Sequence, residues 1–543
     1  MRFATSLLVS TVLASLAFTA TAMEKPKAPA PSTADVPLIP RDKLFGNPSR
    51  SGAEISPDGK WLAWTAPRDG VMNIWVAPVG DLTKERQLTS EKTRPIRNFS
   101  WAPNAATILY MNDKGGDENF LLYDVNIETG QERNLTPFEK VRAQIVGESL
   151  QVPDKILVGL NNRDARWHDV YVLDLKSGKL TQIFKNDGNF GGFVADEQLN
   201  LRYASRPTSN GGDDYFAIRK NKAAQAPAFQ IGFEDTLTTS LLGFTADGKT
   251  LHWLDSRGRN TAALVDIDVE SGKTTVIAER TDSDLGAVLK SSKTSQIVAY
   301  VANYMKPEWV ALTDEVKPDI AFLNAEFKGQ WGWLSQTAND DAWTVVSTSA
   351  SAPSAIYHYD RKGKKLTKLY DTRPELNDAP LVDMQVLEIK SRDGLTQVAY
   401  LTLPKGSDAN GDGKPEKPVP MVLLVHGGPW SRDGYGFNRT HQWLANRGYA
   451  VLATNFRAST GFGKSFIAAG NLQWGTTMHN DLLDAVDWAV ANGVTTRDKV
   501  AIMGGSYGGY ATLAGLTFTP DAFACGVDIV GPSNLSTLLA SIP

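Results

Sequence analysis

A chain of 543 residues, 42% of them hydrophobic, is too long for one ordinary domain and has ample apolar mass for several large cores. Its net charge of -4 leaves no basic footprint for nucleic acid, which excludes that class of function. The single cysteine, Cys525, excludes an internal disulfide, so stability must come from packing; its place in the apolar run 524–530 predicts a buried thiol.

Residues 1–22 read as a signal peptide: Arg2 is followed by a mostly apolar stretch from Phe3 to Phe18 and by the small-residue site Ala20-Thr21-Ala22. The expectation is an exported protein, periplasmic or secreted, with no membrane span after cleavage. Residues 23–47 are rich in Pro, Ala, Lys and Ser without periodicity, and are expected to form a flexible linker.

From 48 to 382 the dominant signal is repetition. Ile55-Ser56-Pro57-Asp58-Gly59-Lys60 precedes the apolar run Trp61–Trp64, Trp101-Ala102-Pro103-Asn104 precedes Thr107–Tyr110, and Phe244-Thr245-Ala246-Asp247-Gly248 precedes Thr250–Trp253. Weaker openings at Pro153, Asp196, Ser292 and Ala338 bring the total to seven at a spacing of roughly 42 to 51 residues, the period of a propeller blade. Inside the units an apolar strand containing Asp leads to a Ser/Thr-Gly turn, as in 121–130, 170–178 and 263–272, which is hairpin grammar. These features predict an N-terminal all-β, seven-bladed β-propeller; an array of β-sandwiches is the alternative.

Past Met384 the pattern changes. A hairpin across Asp393-Gly394 is followed by the continuous apolar strands 421–425 and 449–453, a helical spacing of Leu482, Leu483, Val486, Ala489 and Val490, and strands at 500–503 and 526–530. This β-α-β alternation over 383–543 predicts a doubly wound α/β domain.

Gly504-Gly505-Ser506-Tyr507-Gly508 stands between a buried strand and a helix, the context of a nucleophile elbow. A sharp turn there lifts a serine hydroxyl above the sheet at a helix N-terminus, where positive dipole favours developing negative charge. A tetrahedral intermediate needs two donors, for which the backbone N–H groups of Tyr507 and of Gly428, in His426-Gly427-Gly428-Pro429-Trp430, are the candidates. His426 is not taken as the general base, because triads of this fold run Ser, acid, His, and it precedes Ser506.

The segments 426–429, Asn455-Phe456-Arg457-Ala458-Ser459-Thr460-Gly461-Phe462-Gly463 and 504–510 together resemble the prolyl oligopeptidase family, in its acylaminoacyl-peptidase and dipeptidyl-peptidase-like branch. The resemblance implies a propeller before an α/β-hydrolase domain, cleavage of oligopeptides, propeller restriction of substrate size, and no cofactor. No Glu-Glu pair of the kind that holds a free amino terminus is present, which argues against dipeptide release.

The six histidines, at 168, 252, 358, 426, 441 and 479, all precede Ser506, and Asp521 and Asp528, the only acids after it, are not assigned to a triad. The expectation is therefore a fragment or interrupted reading frame, incomplete at its C-terminus and inactive as it stands. An esterase and a non-catalytic propeller binding protein remain as alternatives. Residues 408–413 resemble half of a calcium loop but lack the closing Glu and flanking helices, so no metal is expected. Trp430 and Phe437 are equally readable as pocket walls or interface residues; oligomeric state, residue preference and substrate-binding residues are not assigned.

Overall fold

The structure is a computed structural model that describes residues 36–542; the signal-peptide reading lies outside the described residues. Seven consecutive antiparallel sheets, spanning 51–87, 99–134, 143–184, 192–231, 240–278, 285–311 and 331–371, form the blades of a propeller. All seven turns singled out as unit openings, from Pro57 to Ala338, lie between the first and second strands of successive blades. Each blade therefore begins one short strand earlier than the sequence pattern suggests. Those first strands have three to six residues, too few for a clear period-two signal.

The turns themselves follow from side-chain chemistry. Ser56 Oγ donates to Asp58 (2.6 Å) and Thr245 Oγ1 to Asp247 (2.7 Å), each closing its turn around a glycine. In the Ser/Thr-Gly turns the acceptor is the residue three before the hydroxyl, namely Asn126, Asp174 or Asp268, which takes the N–H of Thr129, Ser177 or Ser271. Asp124 and Asp266, the strand acids in two of these repeats, instead bond Arg133 and His252 from mid-strand.

Two further differences concern helices. Residues 36–47 are not wholly a tether: α1 (Arg41–Phe45) buries Leu44, which packs with Ile39 and Leu376. Asn446 accepts the Ile39 N–H at 2.6 Å, so this segment is fastened to both domains by contacts over 300 residues away in sequence. The sixth blade has three strands among the described residues, with α2 (Lys317–Phe327) following its third. Pro318 in the first turn and the spacing of Ile320 and Leu323 set this helix against Trp309 and Trp331.

The ring closes by packing between its first and last blades. Ala53, Ile55, Leu62 and Trp64 share a core with Ile356 and Tyr370. Ser335 Oγ accepts the Ile55 N–H at 2.8 Å, Thr344 Oγ1 donates to the Ala53 carbonyl at 2.8 Å, and the Tyr370 hydroxyl donates to the Gly52 carbonyl.

The last sheet comprises β1 (Gln385–Lys390), β2 (Thr396–Thr402), β3 (Met421–Val425), β4 (Ala450–Thr454), β5 (Val500–Gly505) and β6 (Cys525–Ile529), in the spatial order β1-β2-β4-β3-β5-β6. The β1–β2 hairpin and the β2–β4 pair are antiparallel and the remaining pairs parallel. The intervening helices are α3 (Arg439–Ala445), α4 (Lys464–Ala468), α5 (Thr477–Ala491), α6 (Tyr507–Phe518) and α7 (Leu535–Ser541). Leu423, Leu452, Leu482, Val486 and Ile502 are fully buried in the core that the sheet forms with α5 and α6. No helix among the described residues is long and apolar enough to cross a membrane.

Cys525 is exposed, contrary to the buried thiol expected. The apolar run around it is an edge strand, and among the described residues nothing pairs with its outer side; Val527 and Ile529 are exposed with it.

Candidate active site

Ser506 sits where β5 ends and α6 begins, at φ 55° and ψ −119°, a backbone conformation costly for a non-glycine residue. Its strain is held by two bonds: its N–H donates to the Ile529 carbonyl on β6 and its carbonyl accepts from Tyr510, both at 3.0 Å. Glycine is required at two of the motif's positions by close approach. A Cβ on Gly504 would lie 2.5 Å from the Gly508 backbone, and one on Gly508 would lie 2.1 Å from the Val425 carbonyl oxygen. Gly505 is different, with its nearest neighbour at 3.8 Å. Gly508→Ala is therefore expected to destabilise the domain by about 3 kcal/mol or more, while Gly505→Ala stays within about 1 kcal/mol. Urea midpoints of the two variants check the contrast.

The glycine loop after β3 lies against the nucleophile. A Cβ on Gly427 would be 3.3 Å from Ser506 Cβ, and Gly428, at φ 122°, turns the chain away immediately afterwards. Among the described residues neither the Gly428 N–H nor the Tyr507 N–H has an acceptor; Tyr507 opens α6, where the first amides have no partner within the helix. The Tyr507 side chain is buried against Phe456 and Trp474, at ring-centre distances of 5.2 and 4.6 Å, and burial pushes its phenol well up. Only its backbone faces this chemistry.

His426 is committed elsewhere. Its Nδ1 faces the Gly427 carbonyl oxygen at 2.7 Å, a pure acceptor, so Nδ1 carries the proton and Nε2 accepts from the Ser459 hydroxyl at 2.9 Å. The ring stacks on Phe456 at 4.5 Å. Of the other five, His441 is buried with its pKa pushed down to about 4 and bonds Thr402, His479 bonds Thr519, His252 bonds Asp266 in the fifth blade, and His168 and His358, in the third and seventh blades, have their pKa values lowered by burial. Among the described residues none hydrogen-bonds the Ser506 hydroxyl.

The segment 455–463 backs this arrangement. Arg457 donates to Asp481 through Nε and Nη2 at 2.8 Å each and through its own N–H at 2.9 Å. The acid is fully buried on α5, so the loop that supplies Phe456 and Ser459 is locked to the domain core. Asp433, just beyond the glycine loop, has its carboxyl pushed up by burial and one oxygen without a partner. Phe456, Arg457 and Ser459 lie in the 455–463 segment that carries the family resemblance, although the sequence assigns none of them a role; the signal for Asp433 is its adjacency to the glycine loop.

Trp430 is 53% exposed beside Gly428, whereas Phe437 packs with the α1 cluster near Ile39, so the two do not share a pocket. In the 408–413 loop, Asp408 accepts the N–H groups of Asp412 and Gly413 at 3.1 and 3.0 Å, so its carboxylate caps its own backbone.

Comparison with known proteins gives a consistent family. The prolyl oligopeptidase family model matches residues 435–541. The chain is 52% identical over 98% of its length to dipeptidyl aminopeptidase BIII of Pseudoxanthomonas mexicana, covering 78% of that protein. It is 36% identical to dipeptidyl peptidase family member 6 of Caenorhabditis elegans over 94% of this chain and 72% of that one. Among solved structures, a puromycin-hydrolysing peptidase of Mycobacterium tuberculosis shares the fold with a TM-score of 0.68 at 15% identity, covering 95% of this chain and 81% of its own. A prolyl endopeptidase shares it with a TM-score of 0.67 at 13% identity, covering 92% and 75%.

Proposed function

The chain belongs to the prolyl oligopeptidase family and is a serine-type hydrolase, and we propose that it acts on short peptides through an acyl-enzyme on Ser506. The observation that carries this is the strained serine at the head of α6, with two unaccepted backbone N–H groups beside it. The Ser506 oxygen attacks the scissile carbonyl and the N–H groups of Tyr507 and Gly428 receive the oxyanion; collapse of the adduct breaks the C–N bond, the amine leaving with the proton given up by the serine hydroxyl, and water then hydrolyses the ester to release the acid and restore Ser506. The propeller narrows the approach to this site. That reading is supported by the contacts that its fifth and sixth blades make with residues 431–465, immediately beside the glycine loop.

The substrate is proposed to carry a free amino terminus and to lose a dipeptide. The lack of a Glu-Glu pair argued against this, but a relative 52% identical along nearly the whole chain is a dipeptidyl aminopeptidase, which favours it. The 543-residue chain by itself is proposed to be inactive toward peptide amides, a reading supported by the commitment of His426, His441 and His479 to other partners. Turnover of a peptide by the purified chain, lost in Ser506→Ala, would overturn that part.

The substrate class is tested without requiring turnover. Dipeptide amides and their N-acetylated counterparts are compared as protectants of Ser506 against a fluorophosphonate. Free-amine peptides are expected to protect at concentrations about tenfold lower, the worth of one charge-assisted hydrogen bond. Equal protection would favour an acylpeptide or internal-bond specificity instead.

A further inference from the structure

We propose that Arg432 is a positioning residue that makes the geometry of the Gly428 oxyanion donor depend on contact with the propeller's sixth blade. The inference rests on the assignment of Ser506 and Gly428 above. Arg432 lies four residues after Gly428; its Nε donates to the Asp433 carbonyl at 3.3 Å, and the rest of its guanidinium reaches across to the propeller. Nη1 donates to the Asn303 carbonyl at 2.7 Å and Nη2 to the Tyr304 carbonyl at 2.8 Å, two consecutive residues at the end of a sixth-blade strand. The cation sits 4.3 Å from the centre of the Phe462 ring, and that ring meets Tyr304 edge-on at 6.0 Å.

The residues flanking Arg432 are tied down on the other side. The Ser431 carbonyl accepts the Thr460 N–H at 2.8 Å, and the Asp433 N–H donates to Asn455 Oδ1 at 2.8 Å. The glycine loop is thus the free span of a strap. One end is the β3 strand, the other is riveted to the 455–463 segment, and Arg432 carries the connection across to blade six. The same segment is itself held by the propeller: Asp284 accepts the Gly463 N–H at 3.1 Å, and Lys464 pairs with Asp235 at 2.8 Å. Between Gly427, packed on Ser506, and Arg432, packed on the blade, there is little slack. A shift of the propeller relative to the hydrolase domain is carried by the guanidinium to the strap and so to the Gly428 N–H.

The planar fork matters because two carbonyl oxygens are addressed by two parallel N–H groups. A lysine ammonium could keep the charge but not both bonds together with the ring contact. An oxyanion donor displaced by about 1 Å is enough to cost about 10²-fold in the chemical step while leaving substrate contacts elsewhere intact.

The test uses the full chain and fluorophosphonate labelling of Ser506, separated into the affinity of the probe and the first-order rate of the covalent step. Arg432→Lys is expected to slow the covalent step about 30- to 100-fold while probe affinity stays within about threefold and the thermal midpoint within a few degrees. Phe462→Leu, which removes the ring beneath the guanidinium without touching the strap, is expected to act in the same direction by about five- to tenfold; it keeps the test open if the arginine variant folds poorly. A covalent step within twofold of the parent in both variants overturns the proposal. So does a loss that appears equally in affinity and rate and tracks a lowered thermal midpoint, because that marks a purely structural role. Failure of the underlying site assignment is distinct: Ser506→Ala would then still label.

Discussion

Replacing Ser506 by alanine is expected to abolish labelling by a fluorophosphonate, because the probe bonds to the serine oxygen that the substitution removes. The argument is geometric before it is chemical. Ser506 holds φ 55° and ψ −119° between a buried strand and α6, with a Gly427 Cβ position only 3.3 Å from its own Cβ. A serine kept there for packing alone would avoid the cost of that backbone, because the surrounding glycines already satisfy the close approaches. The alanine variant should fold normally, since it removes one oxygen that has no hydrogen-bond partner among the described residues. Labelling that persists in a folded Ser506→Ala protein would remove Ser506 from the mechanism and return the choice to a binding protein or to another nucleophile.

Asp481→Ala is expected to lower the stability of the hydrolase domain by about 3–5 kcal/mol, because it leaves a buried guanidinium without its principal partner. Asp481 is fully buried, and both of its oxygens are engaged, by Arg457 and by the Ser391 hydroxyl at 2.8 Å. Its hydrogen bonds push the Arg457 pKa up; even without them the guanidinium stays protonated, so the charge remains when the acid is gone. Asp393, half-exposed and 2.8 Å from the same guanidinium, is a partial substitute only. The measurement is the urea midpoint of the hydrolase-domain transition, with Asp481→Asn as an intermediate case that preserves shape. The variant should also slow Ser506 labelling, since Arg457 anchors the segment from which Phe456 and Ser459 hold His426. A midpoint unchanged by either substitution would show that the pair is replaceable and that the segment is held by its propeller contacts.

The parts of this molecule written in short-range chemistry were readable before any coordinates. The elbow is an example: Gly504 and Gly508 are demanded by contacts between a strand and the helix that directly follows it, so the spacing in the chain is the geometry. The seven blade turns are another, because Ser56 with Asp58 and Thr245 with Asp247 close their turns within two residues. Continuous apolar runs such as Met421–Val425 announce strands covered on both faces wherever they lie.

What depended on distant partners was not readable. The 524–530 run has the composition of a buried strand, yet Cys525 is exposed, because burial of an edge is decided by what packs beside it and not by the strand's own residues. Arg41–Phe45 sits next to a proline-rich stretch and looks like tether, but Leu44 is buried by Leu376, more than 300 positions away. His426 follows a buried strand as a catalytic histidine might; the neighbouring Gly427 carbonyl takes its Nδ1 proton, but only the approach of Ser459 from another loop occupies Nε2 and commits the ring to structure. Arg432 shows the same division most clearly. Its neighbours in the chain place it beside the oxyanion loop, but its partners are two backbone carbonyls of a blade about 130 residues earlier. Local backbone preferences act over a few residues and leave their mark in the residue order, whereas the meeting of remote surfaces is set by the packing of whole domains, which no single stretch of sequence encodes.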